Sequence, residues 1–107
     1  MNKQYFFVKL IPPRPTFPMD ITAEEKLLMH EHVHYTRESF DAGKILIYGP
    51  VMAPGGAFGM AVFEVVDEEE VRRVLENDPS VLAGLNSFEI YPMRLGAAQG
   101  SGAEAQK

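Results

Sequence analysis

Ala57-Phe58-Gly59-Met60-Ala61-Val62-Phe63-Glu64-Val65-Val66 is the stretch whose reading decides the fold. As a strand, its side chains alternate between the two faces of a sheet, and Met60, Val62, Phe63 and Val65 put apolar groups on both. A strand apolar on both faces is covered on both faces. Just before it, Gly55-Gly56 supplies a turn, and Lys44 to Val51 reads as the strand preceding that turn. Near the start of the chain, Tyr5-Phe6-Phe7-Val8-Lys9-Leu10-Ile11 is rich in aromatic and β-branched residues and stops at the prolines from Pro12 onward. Ser87 to Met93 gives a fourth strand.

Two helices separate these strands. Thr22-Ala23-Glu24-Glu25 is a capping box, in which the threonine hydroxyl takes the Glu25 amide and the Glu25 carboxylate reaches back. The helix it opens runs about twenty residues to Gly43, a residue suited to a left-handed C-terminal cap. Asp67-Glu68-Glu69-Glu70 repeats the acidic start, and Val71, Val74 and Leu75 form the buried stripe of a helix ending near Asn77. Asp78-Pro79 reads as the N-cap and first position of one further turn, Ser80 to Ala83, closed by Gly84.

The order βαββαβ is that of a ferredoxin-like α+β domain, a four-stranded antiparallel sheet with two helices on one face. Two helices cover only one face, yet the strands are apolar on both. The open face therefore predicts a homodimer packed sheet to sheet, and residues 1–95 form one domain. Residues 96–107 are Gly, Ala, Ser, Gln and charges without periodicity, which predicts a flexible C-terminal tail.

Composition limits function. Ten Lys and Arg against fifteen Asp and Glu give a net charge of -5, which disfavours the phosphate neutralisation on which nucleic-acid binding depends. There is no cysteine, hence no disulfide framework and no thiolate nucleophile. No apolar run approaches the roughly 20 residues that span a bilayer, and no leader-like succession precedes Tyr5, which together predict a soluble, cytoplasmic protein without a membrane partner. The Pro12 to Asp20 segment reads as a stiff connection that overhangs a pocket; its Pro12-Pro13-Arg14-Pro15 is better explained that way than as a polyproline ligand.

His30-Glu31-His32-Val33-His34 carries the candidate chemistry. At about 100° per residue, Leu28, Met29, Val33, Tyr35, Thr36, Ser39 and Phe40 fall within roughly 160° of arc with His32 near its centre. His30 and His34 point the opposite way, beside Lys26, Arg37, Glu38 and Asp41. The segment matches the zinc-peptidase helix pattern H-E-x-x-H, but both would-be ligands lie on the solvated arc and no third ligand follows, so no metal is expected. An imidazole carried inward needs a partner, since an unpaired buried polar group costs on the order of 1 to 3 kcal/mol. For His32 that partner is either structural, a backbone carbonyl or Tyr35, or functional. Asp78 is likewise either a plain cap or a carboxylate fixed by its cap to face His32, where it would select one tautomer of the imidazole.

Several of these residues resemble the YCII-like family: His32 in the first helix, Asp41-Ala42-Gly43 closing it, Gly49-Pro50 ending the second strand, and Asp78-Pro79 with Ala83-Gly84-Leu85 before the last strand. The resemblance implies a dimeric α+β barrel of ferredoxin-like subunits. It also implies a histidine and aspartate pair at a pocket, which maps onto His32 and Asp78. The family includes a dehydrochlorinase acting on a chlorinated hydroxyquinol and shares a wider likeness with muconolactone isomerase barrels. The implied activity is proton transfer on a small cyclic or aromatic substrate, lyase or isomerase in type, without a cofactor. Tyr5 and Phe7 on the first strand, Tyr48 on the second and Arg14 on the overhanging loop are the candidate substrate-binding residues, the guanidinium to fix an anionic group. The alternative is a noncatalytic dimeric protein that binds a small molecule without transforming it.

Overall fold

The computed structural model describes residues 2–100. Its elements run β1 (Gln4–Ile11), α1 (Ala23–Asp41), β2 (Ile45–Val51), β3 (Phe58–Val65), α2 (Glu68–Glu76), α3 (Pro79–Leu82) and β4 (Ser87–Met93). The strands form one antiparallel sheet in the order β2-β3-β1-β4, which is the ferredoxin-like arrangement. Residues 94–98 carry no regular element; most of the tail expected to be flexible lies outside the described residues.

The caps anticipated from sequence are formed. Thr22 Oγ1 accepts from the Glu25 amide at 3.1 Å while Glu25 Oε1 accepts from the Thr22 amide at 3.0 Å. Asp67 Oδ1 accepts from the Glu70 amide at 3.0 Å and starts α2. Gly43 and Gly84 leave α1 and α3 at φ +83° and +76°, the left-handed region that a side chain would oppose.

Register assigns the faces. Phe6 pairs with Phe63 and Val8 with Ala61, and these inward positions pack with Val65, Val71 and Leu75 into the core between sheet and helices, while Leu10, opposite Gly59, continues the same face. The intervening positions, Tyr5, Phe7, Met60 and Val62, lie on the open face. A bulge sits between Ile45, opposite Phe63, and Ile47, opposite Val62. One extra residue reverses the alternation. Both Ile45 and Tyr48 consequently face the helices, while Ile47 faces outward.

α2 sinks Val71 and Leu75 into the core, whereas no residue of α1 is fully buried. Val33 and Phe40, expected on the inner arc of α1, remain 55% and 37% exposed. They sit at the flank of that arc, and the space beneath the helix is a cavity instead of packed side chains.

Candidate active site

The cavity beneath α1 has a volume of about 290 Å³ and walls that are almost entirely apolar. Val8, Leu10, Ile45 and Ala61 form its floor, Met29, His32 and Thr36 its roof, and Phe17 its cover from the Pro12 to Asp20 loop. Such size and character are those of a small-molecule site. Its few polar side chains decide what it can do.

His32 and Asp78 meet at its wall. Nδ1 of His32 lies 2.6 Å from Oδ2 of Asp78, with a longer approach of 3.4 Å from Thr36 Oγ1. The other carboxylate oxygen, Oδ1, accepts from both the amide and the hydroxyl of Ser80 at 2.8 Å. Asp78 is therefore a cap and the partner of His32 at once, one oxygen for each task. The short helix α3 holds the carboxylate rigid, and Asp78 is only 2% exposed. Burial raises the affinity of that carboxyl for its proton, but the His32 hydrogen bond and charge, followed by the Ser80 donors, outweigh burial and hold it below the usual range. An ionised Asp78 requires a donor at Nδ1, so the proton of neutral His32 belongs on Nδ1 and the lone pair on Nε2. Nε2 has no protein partner among the described residues. An imidazole held in this way can take up a proton at Nε2.

Tyr35 is not the histidine's partner: its hydroxyl donates to the Val74 carbonyl at 2.7 Å. Burial first, then the nearby Asp78 and Glu38 carboxylates, keep that phenol protonated. Tyr48 lines the cavity as expected, turned inward by the bulge in β2. Tyr5 and Phe7 do not. They belong to the other parity of β1, where Tyr5 donates to Glu64 Oε2 at 2.9 Å across the open face and Phe7 lies 6.3 Å from Tyr91 between ring centroids. Both parities of β1 are apolar, so the sequence alone carried no sign of which one turned inward.

Arg14 is also absent from the cavity wall. Its Nη1 and Nη2 each donate to a Glu25 oxygen at 2.8 Å, and Nε donates to Asp20 Oδ1 at 2.9 Å. The Arg14 guanidinium, then the Thr22 amide, lower the Glu25 carboxyl to about 2. This side chain fastens the loop to the start of α1, with four of its five N–H donors bound to Glu25 and Asp20. Beneath it, Phe17 is 5% exposed and closes that end of the cavity. His30 and His34 are exposed on the far side of α1, edge to face at 4.7 Å between centroids. No group of three or more potential metal ligands exists among the described residues.

Asn86 is a cavity residue that sequence reasoning missed. It is 5% exposed, and the Ser80 carbonyl accepts its backbone N–H at 3.1 Å. The signal was faint: a polar residue between Leu85 and a strand resembles ordinary turn chemistry.

A sequence profile of the YCII-related domain matches residues 5–94. The chain belongs to the YCII-related family. Among solved structures, this YCII-related chain is similar to 5-chloro-2-hydroxyhydroquinone dehydrochlorinase, TftG, from Burkholderia phenoliruptrix AC1100, in complex with 2,5-dihydroxybenzoquinone. The identity is 19% over 85% of this chain and 95% of that one, with a TM-score of 0.58. It is also similar to SnoaB, a cofactor-independent oxygenase from Streptomyces nogalater, at 11% identity over 94% of this chain and 100% of that one, TM-score 0.49. Curated proteins gave no match. At 19% identity the likeness to TftG concerns the fold alone.

Proposed function

We propose that this YCII-related protein is a small enzyme in which His32, oriented by Asp78, moves a proton on a small ring compound bound beneath α1. The observation that carries the reading is the 2.6 Å contact between His32 Nδ1 and Asp78 Oδ2 at the wall of an apolar cavity. Nε2 takes a proton from the bound ring. It then returns the proton at another position, as an isomerase does, or the electron pair of the broken bond expels a leaving group, as in a lyase. Such chemistry asks for a base and a dry site and for no cofactor. The ring bound in the TftG complex, 2,5-dihydroxybenzoquinone, supports a ligand of that size. The cysteine-free composition suits the cytoplasm.

Nitrogen-15 shifts of the histidine rings test the pairing directly. At a pH where the rings are neutral, wild-type His32 is expected as the Nδ1-protonated tautomer, the minor form of free imidazole, while exposed His30 and His34 show the usual mixture. In Asp78→Asn, His32 should revert toward that mixture. A wild-type His32 indistinguishable from the other two would remove the general base and with it the enzyme reading.

The active form is a homodimer through the open sheet face. Supporting this are Ile47 and Tyr91, 57% and 48% exposed on that face beside Phe7 and Met60. Sedimentation velocity at micromolar concentration should show a dimer for the wild type and a monomer for Phe7→Glu. A monomeric wild type would sink the proposal.

A further inference from the structure

The polar groups that line the cavity include two whose spare hydrogen-bonding capacity bears on its ligand. One is His32 Nε2. The other is the side-chain amide of Asn86, for which the reaction above has no use. Other polar groups nearby already have good partners: Asp78 has His32 and Ser80, and the Tyr35 hydroxyl donates to Val74. Asn86 Nδ2, by contrast, donates only to the thioether of Met29, at 3.4 Å. Sulfur of this kind is a weak acceptor. Oδ1 has no partner among the described residues, and turning the amide over exchanges the two ends without supplying a better one. The residue is 95% enclosed, yet no fully buried side-chain oxygen or nitrogen among the described residues lacks a partner, so Oδ1 keeps an accessible surface at which a ligand can bond. Asn86 lines the same cavity as His32, and Met29, which it touches, is one helical turn before His32 on α1.

The charge of the wall narrows the ligand. Among the described residues no Lys or Arg contributes to it, Asp78 is its only carboxylate, and His32, the one group able to become cationic, is already committed to that carboxylate. A carboxylate ligand would lose its water here without gaining a counter-charge, at a cost that apolar contacts do not offset.

We propose that Asn86 is the specificity residue of this cavity: its amide holds an oxygen of the ligand, which is an uncharged, mainly apolar ring carrying a hydroxyl or carbonyl group. The inference rests on the reading of the cavity as a ring-binding site. As His32 withdraws a proton, that oxygen gains negative charge, and a hydrogen bond donated by the Asn86 amide would stabilise it. Muconate-like acids and carboxylated lactones are excluded as substrates.

Three probes of one shape decide the matter: 4-methylphenol, toluene and 4-methylbenzoate, titrated into the full-length protein by calorimetry and by nitrogen-15 NMR. The wild type should bind 4-methylphenol on the order of tenfold more tightly than toluene, and 4-methylbenzoate not measurably. The Asn86 side-chain NH2 signals should move with 4-methylphenol and stay in place with toluene. In Asn86→Leu the preference for 4-methylphenol over toluene should shrink by about fivefold while toluene still binds; Asn86→Ala, which leaves more room, should show the same loss of preference. An undiminished preference in both variants, unmoved NH2 signals, or benzoate binding equal to that of the phenol overturns the assignment of Asn86 and leaves the cavity reading in place. If none of the three binds the wild type, the ring-binding site falls, and the inference falls with it.

Discussion

Asp78→Ala should lower the unfolding free energy by about 3 kcal/mol, more than any other single change in the site. Three losses add to that figure. The short helix α3 loses its cap, worth about 1 kcal/mol. The Ser80 hydroxyl, fully enclosed, loses its acceptor. His32 loses the partner of its Nδ1. In a domain of this size the midpoint of thermal unfolding should fall by about 15 °C, readable by calorimetry. Asp78→Asn keeps a capping oxygen and should cost about half as much. The same carboxylate leaves a signature in acid. Its folded-state affinity for a proton is depressed, so its contribution is complete above the unfolded value of about 3.9 and is lost as pH falls through the lower folded value. Wild-type stability should therefore drop below about pH 4 more steeply than that of Asp78→Asn. Parallel curves, or a midpoint within 3 °C of wild type for Asp78→Ala, would show that the pair is not holding the fold.

His32→Gln should abolish turnover while leaving the cavity intact. Loss of a positioned general base typically costs 10²- to 10⁴-fold in rate, and the same loss is expected in kcat on whichever ring compound a substrate screen identifies. Glutamine can still donate toward Asp78, so the wall keeps its shape and ligand affinity should change by less than about fivefold. The split between kcat and KM separates chemistry from architecture. A variant that binds and turns over like the wild type would leave His32 as a structural partner of Asp78. One that loses binding and turnover together would make it a ligand contact and not a base.

Much of this was readable in the chain. The capping motifs at Thr22, Asp67 and Asp78, together with the period change between strands and helices, define βαββαβ because each rests on local chemistry. His32 was marked by its position on the helical arc, and the YCII-like resemblance proposed Asp78 as its partner. Less visible was anything that depends on tertiary register. Tyr5 and Phe7 were misplaced because β1 is apolar on both sides, and parity is then silent about direction. Tyr48 faces the cavity through a bulge that no residue type in β2 announces. Arg14 was offered to a ligand because its true acceptors, Glu25 and Asp20, come close only when the loop folds back on α1. Asn86 was concealed by its resemblance to turn chemistry.

The incomplete burial of α1 divides labour within this small chain. Cohesion resides in β1, β3 and α2, whose Val8, Phe63, Val65 and Val71 are almost wholly buried. Each of those positions is intolerant of change, since a lost methylene there leaves a void. The inner arc of α1 borders the cavity and not packed core, so exchanging Met29, Val33 or Ser39 for larger or smaller residues reshapes the cavity at little expense to folding. The roof of the cavity on α1 can thereby be revised without disturbing the core, whereas its floor on β1, β2 and β3 is shared with the core and cannot.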